Sequence, residues 1–188
     1  MNIRNLLLMC VTAVTLTACG GGGGDLIQTT TPTTIVPGAQ TLTPGTYKLT
    51  VSAISTARLA APINGIDVAV RLPVGLSVST VTGGATGQIT STSITPGSAI
   101  LATSLALGNY SASTRTAYLS MATIQDTYRG GHFLNLLFSV ASGTSITPND
   151  ISALNAVYPH YKVVGLDTVT NSTVTMTDSV KTTLGVAQ

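Results

Sequence analysis

Apolar and polar side chains alternate along much of the chain beyond residue 46. Tyr47, Leu49, Val51 and Ala53 alternate with Lys48, Thr50 and Ser52. Ile66, Val68, Val70 and Leu72 alternate with Asp67, Ala69 and Arg71. Leu134, Leu136, Phe138 and Val140 alternate with Asn135, Leu137 and Ser139. A period of two puts successive side chains on opposite faces of a strand, so each run predicts a strand with one buried face. Val174, Met176 and Val180 form a late stretch of the same kind, with Asp178 breaking its apolar face. Residues 76–82, 88–93, 100–107, 115–123 and 161–167 read as further strands. Turn signals separate these runs: Asn64-Gly65, Pro73-Val74-Gly75, Gly83-Gly84, Pro96-Gly97, Gly108-Asn109, Gly130-Gly131 and Asn171-Ser172. Nine short strands at this spacing predict an all-β, antiparallel β-sandwich, and the abundance of Thr and Val suits strands. Only residues 148–157 read as helical. Thr147 can cap that segment, with Pro148 at its first position and Asn149 and Asp150 in its first turn.

The N-terminal 44 residues follow other rules. Arg4 precedes an apolar run, Leu6 to Leu16, interrupted only by threonines. The run is shorter than the ~20 residues that cross a bilayer and fits the apolar region of a signal peptide. It ends in Leu16-Thr17-Ala18-Cys19, which resembles the bacterial lipobox. The resemblance implies cleavage before Cys19 and acyl chains on that cysteine. Gly20, in place of Asp, implies sorting to the outer membrane. An ordinary signal peptide that contains a cysteine is the alternative. Two or more acyl chains hold a protein firmly to a membrane, where one does not. Gly20 to Gly24, the threonines around Pro32, and Pro37-Gly38 follow; this composition builds no packed core. The expected organisation is a signal peptide at 1–18, a lipidated cysteine and flexible linker at 19–44, and a folded domain at 45–188. A coil of about 24 residues spans about 25–30 Å.

Composition narrows the function classes. Only 7% of residues are charged, none is Glu, and the net charge is +2, so no basic footprint for nucleic acid exists. Both cysteines, Cys10 and Cys19, lie in the first 19 residues, so the folded domain can hold no disulfide and its core must suffice. At this length a chain buries about two-thirds of its unfolded surface. Weak self-repulsion also favours association with other molecules or with itself. A membrane barrel would need aromatic girdles, whereas the chain has no Trp and only 4% aromatics.

The segment Ile63-Asn64-Gly65-Ile66-Asp67-Val68-Ala69-Val70-Arg71-Leu72-Pro73-Val74-Gly75-Leu76-Ser77-Val78 resembles the cohesin pattern, an alternating strand that turns into a Leu-Val strand. Gly83-Gly84 follows at the family's distance. Arg115 to Met121 and the segment Gly130-Gly131-His132-Phe133-Leu134-Asn135-Leu136-Leu137-Phe138-Ser139-Val140 resemble later family strands. The resemblance spans residues 45–180 and implies a nine-stranded jelly-roll sandwich shared with carbohydrate-binding modules. Cohesins bind dockerin modules through one sheet face. The family's Tyr-Asp-Pro turn is replaced by Leu72-Pro73-Val74-Gly75, and no Trp is present to stack sugars. Neither ligand therefore carries over residue by residue.

No pattern for catalysis stands out. A hydrolytic triad needs Ser, His and Asp together, and no Gly-x-Ser-x-Gly elbow occurs. The acids Asp67, Asp126, Asp150, Asp167 and Asp178 are scattered singly. Asp126, Asp150 and Asp167 could lend oxygens to calcium, but no Asp-rich loop supports such a site. No zinc spacing or phosphate loop is present, so no metal or cofactor is expected. The candidate binding residues are Tyr128 and Arg129 in a Gly-rich loop, His132 after two glycines, and Tyr158, His160 and Tyr161 at an aromatic corner. Tyr and Arg are favoured at interface centres; the same tyrosines could equally be half-buried with wet hydroxyls. The expectation is a non-catalytic, envelope-located lipoprotein whose sandwich binds a protein partner or itself, with polysaccharide binding as the alternative.

Overall fold

The alternating run at Tyr47 becomes β1 (Gly45–Ser55). Tyr47, Leu49, Val51 and Ala53 are buried, and Lys48, Thr50 and Ser52 point the other way. The structure is a computed structural model, and it describes residues 37–188 apart from Gly84 and residues 157–160. These residues belong to one compact unit. Nine more strands follow among them: β2 (Ile63–Arg71), β3 (Leu76–Ser77), β4 (Ile94–Pro96), β5 (Leu105–Ser111), β6 (Thr116–Ala122), β7 (Gly131–Val140), β8 (Tyr161–Asp167), β9 (Ser172–Thr175) and β10 (Val180–Ala187). They form two antiparallel five-stranded sheets. One has the order β10-β1-β7-β3, with β4 also on β7; the other runs β5-β6-β2-β8-β9. The buried faces of both sheets share one core. Leu134, Leu136 and Phe138 of β7 and Leu49 and Val51 of β1 meet Ile66, Val68 and Val70 of β2 and Leu119 and Met121 of β6. The chain is therefore a mostly-β sandwich, and among the described residues no helix is long and apolar enough to cross a membrane.

The helix forms where its cap residues stand. In α1 (Pro148–Leu154) the Thr147 hydroxyl accepts the Asp150 N–H, the Asp150 carboxylate accepts the Thr147 N–H, and Pro148 occupies the first turn. A Gly131 φ of +105° opens β7. Val51 then pairs with Leu134 and Ser52 with His132, so Phe133 has no partner on β1. That bulge turns the Phe133 ring into the core, where it is fully buried.

Several elements depart from the sequence reading. Among the described residues ten strands are present, not nine. The late stretch splits into β9 and β10, which lie in different sheets and are joined by a 3₁₀ turn at Thr177–Ser179. The strand expected at 100–107 is displaced to Leu105–Ser111, and the one expected at 88–93 is reduced to isolated bridges at Gln88 and Ile89. Gly108 is not a turn. It sits inside β5, where a Cβ would come within 2.9 Å of both the Ile89 side chain and the Tyr118 carbonyl. A glycine in a strand marks close approach as readily as a bend. The turn that follows β5 ends at Arg115, which adopts a left-handed φ of 53°. The folded unit also takes in part of the expected linker. Leu42 is buried in the core and donates its N–H to the Ile146 carbonyl at 2.8 Å, and Gly38 accepts the Asn149 N–H at 3.2 Å.

The sandwich has two ends. The near end holds Gly45, Val140, Arg71 and the β5–β6 turn. The far end holds the loops 56–62, 98–104, 123–130 and 168–171.

Candidate functional site

The outward faces of the two sheets differ in chemistry. The face of the β1 sheet carries Lys48, Thr50, Ser52, Asn135 and Ser139, with Ile54 and Leu137 as its large apolar side chains. The face of the β2 sheet carries Leu105, Leu107 and Tyr118, each half or more exposed. These positions face out because the opposite parity of β5, Ala106, Gly108 and Tyr110, packs toward the core. Cross-strand pairing sets Leu105 opposite Ala122, Leu107 opposite Ser120 and Asn109 opposite Tyr118.

Beside these residues lies a trough of about 430 Å³, lined by Asp67, Ala69 and Arg71 of β2 and by Thr116, Tyr118 and Ser120 of β6. Period-two geometry brings Asp67, Ala69 and Arg71 to one face. The small Ala69, paired with Tyr118, leaves the hollow between them. Ser120 Oγ donates to Asp67 Oδ1 at 2.7 Å. His132, the histidine among the described residues, belongs to the other sheet, on β7. The trough offers an aromatic ring, a carboxylate and a guanidinium on an apolar floor, groups that contact surfaces use for recognition.

Of the described residues expected to bind, Tyr128 and Arg129 lie in the loop before β7, His132 on β7, and Tyr161 on β8 in the other sheet. Tyr128 is not a recognition edge. Its ring is buried, its hydroxyl donates to the Gly131 carbonyl at 3.1 Å, and burial pushes its pKa well up. Arg129 is exposed, its Nη1 donating to the Leu59 carbonyl at 3.5 Å. His132 is partly buried with both ring nitrogens engaged, Nδ1 with Ser98 Oγ at 3.2 Å and Nε2 with the Leu134 carbonyl at 3.2 Å. Tyr161 is half-buried and donates to the Val180 carbonyl. Tyr158, His160 and Cys19 lie outside the described residues.

Two of the three acids considered for calcium, Asp150 and Asp167, are engaged separately. Asp150 is held below the usual carboxylate range by the Thr147 N–H and hydroxyl. Asp167 is held below it by the Thr170 hydroxyl and the Val169 N–H. Among the described residues no group of three His, Cys, Asp or Glu is gathered for a metal ion.

The burial of Tyr128 has a measurable consequence. Its folded pKa lies above the unfolded value of about 10, so the neutral phenol's stabilisation is complete below that pH and is lost as pH rises toward the folded value. Urea denaturation at pH 8 and pH 11 is expected to show the wild type losing stability in alkali. Tyr128→Phe should lose about 1 kcal/mol at pH 8, the worth of one hydrogen bond, and decline less between the two conditions.

The sequence reading missed Asn155, a buried polar residue just after α1. Its Oδ1 accepts the Arg71 N–H at 2.8 Å, and its Nδ2 donates to the carbonyls of Arg71 at 2.8 Å and Ile151 at 2.7 Å. It also missed Leu105, Leu107 and Tyr118 as a group. The signal available was an apolar parity repeated on both faces of one strand.

No protein-family model, no curated protein and no solved structure matches the chain.

Proposed function

We propose that the protein is a non-catalytic lipoprotein of the cell envelope, anchored through Cys19, whose cohesin-like, jelly-roll sandwich docks a protein partner or a second copy of itself. The docking surface is the outer face of β5, β6 and β2. The observation that carries this reading is the asymmetry of the two outer faces: one sets Ile54 and Leu137 singly among polar side chains, and the other gathers Leu105, Leu107 and Tyr118, each half or more exposed, beside a trough. Exposed apolar clusters of this kind mark contact surfaces. An aromatic beside an arginine supplies the anchor such surfaces use. The scarcity of charge fits too, since few ions need desolvating when the face is covered.

The test is cross-linked recovery of partners from the cell envelope. Leu107→Asp and Tyr118→Ala are expected to reduce recovery at least about tenfold, the effect of losing one hot-spot side chain, without lowering thermal stability. Unchanged recovery with both variants would exclude this face. Polysaccharide binding is the second reading, favoured by the exposed Tyr118 ring over the trough. A glycan that binds in the micromolar range and is lost with Tyr118→Ala would put it first. Anchoring is tested separately: Cys19→Ser should move the protein out of the membrane fraction or block its processing, and equal retention without acyl mass would end the lipoprotein reading.

A further inference from the structure

We infer that the far end of the sandwich docks on an anionic lipid surface, with Arg58 and Arg129 receiving headgroup phosphates and Ile124, Val169 and Leu101 entering the acyl boundary. The inference stands on different residues from the sheet-face reading above. Ile124 is 91% exposed and Val169 92%, the highest values among the exposed large apolar side chains, and both sit on far-end loops. Leu101, 46% exposed, stands on a third such loop.

Hydrogen bonds hold these loops in fixed relation. Asn64 donates from Nδ2 to the Thr123 carbonyl at 3.1 Å and accepts the Leu166 N–H on Oδ1 at 2.9 Å. That carboxamide ties the strand tops leading to Ile124 and Val169, which are two strand spacings apart, about 10 Å. The Leu101 N–H donates to Gln125 Oε1 at 3.1 Å, and Ser104 Oγ donates to Thr123 Oγ1 at 2.8 Å.

A cleft of about 730 Å³ opens at the same end. It is lined by Ser55, Ala57, Arg58, Leu59, Ala60 and Arg129, with no carboxylate in its wall. The chain has only eight Lys and Arg in all, and two of them share this cleft. The loop carrying Arg129 is pinned there: Ser55 Oγ donates to the Arg129 carbonyl, and the Ile63 N–H donates to the Tyr128 carbonyl at 2.8 Å. Paired guanidiniums match phosphate oxygens bidentately. Lys181, paired with Ile54 on the adjoining strand tops, adds a third cation. The acids at this end are Asp126, Asp167 and Asp178. The Asp167 carboxylate is turned onto its own loop, accepting from Val169 and Thr170.

The choice of a bilayer over a protein rests on the shape of the apolar surface. Ile124, Val169 and Leu101 stand singly on separate loop tips, with Gln125, Thr127, Thr170 and Asn171 around them. A rigid partner would need a matched pocket for each tip, whereas a fluid acyl layer closes around all of them. Polar loops between the tips stay at headgroup level beside the arginines.

The test is vesicle flotation of the chain from residue 19 onward carrying Cys19→Ser, so that neither leader nor acyl chain contributes and the whole folded unit is kept. Vesicles of phosphatidylglycerol in phosphatidylcholine are compared with phosphatidylcholine alone. Binding to the anionic vesicles is expected, weakened by salt. Ile124→Asp with Val169→Asp should reduce it by at least about tenfold, given what burying one aliphatic side chain contributes. Arg58→Gln with Arg129→Gln should reduce it by at least about fivefold, the effect of about one surface cation, and bring the two vesicle types together. Tyr118→Ala should leave it unchanged. No binding to anionic vesicles overturns the inference, as does binding that none of these variants alters. Binding of inorganic phosphate that the arginine variants abolish, with no vesicle flotation, would show an anion site alone and also overturn it.

Discussion

Phe138→Ala is expected to cost about 3–5 kcal/mol, enough to remove much of the stability of a domain this size. Phe138 is 1% exposed and pairs across the strands with Tyr47, their rings 5.9 Å apart at 21°. The alanine variant loses the transfer energy of the ring, the stacking contact and the contacts of the cavity wall. Relaxation cannot close that cavity, because β7 lies within its sheet between β1 and the short strands β3 and β4. Tyr47 is itself fixed at its far tip, where Thr43 donates its N–H to the phenol oxygen at 3.1 Å. Phe138→Leu keeps the site apolar and most of its volume filled, and should cost less than half as much. Urea denaturation with an unchanged slope for the two variants checks both values. A loss below about 1 kcal/mol for the alanine variant would remove Phe138 from the centre of the core.

Asn155→Ala is expected to cost about 2–4 kcal/mol through hydrogen bonds alone. Among the described residues, β8 pairs with β2 along residues 63–68, three residues short of Arg71. The Asn155 carboxamide bonds the Arg71 backbone as a neighbouring strand would, accepting one bond and donating the other, while its second Nδ2 hydrogen closes the end of α1 on Ile151. Alanine removes both bonds to the part-buried backbone of Arg71 and leaves the Ile151 carbonyl with the longer bond from the Asn155 N–H at 3.3 Å. Asn155→Asp separates shape from polarity. A carboxylate of the same outline can accept from the Arg71 N–H, but it faces the two carbonyls with no hydrogen to donate. That variant should be at least as unstable as alanine near neutral pH and should recover part of the difference in acid, when the carboxyl regains a proton. Equal stability of the alanine variant and the wild type would show that the carboxamide contributes nothing net.

The buried faces of β1, β2 and β7 were legible because each alternates a branched or aromatic side chain with a polar one, and only one parity can enter the core. The cap of α1 was legible for a similar reason: Thr147 and Asp150 are spaced for reciprocal bonds, whatever lies around them. Strand β5 was not legible. In Leu105-Ala106-Leu107-Gly108 both parities are apolar or small, and the choice of face depends on how closely Ile89 and β6 approach. That choice exposed Leu105 and Leu107, and so created the candidate site. Tyr128 failed from the opposite cause. A tyrosine in a Gly-rich loop reads as exposed, but its loop folds down so that the Tyr128 carbonyl accepts from Ile63 and its ring fills the core. Both outcomes depend on contacts between segments far apart in sequence, which local pattern does not encode.

The position of β1 also sets how the domain would bear a mechanical load. Tension arriving from the N-terminal side passes residues 37–44 and enters β1 along its own axis. β1 lies between β10 and β7, in register with eight residues of one and nine of the other. Drawn lengthwise, the strand shears both ladders at once, so their hydrogen bonds resist together and do not open in turn like a zip. Leu42, seated in the core ahead of the strand, acts as a stop that must be pulled out first. The same chain pulled from its C-terminal side meets a weaker joint, because β10 is an edge strand held by a single ladder. The fold thus has a strong direction and a weak one, and its strong direction is the one that faces residues 37–44.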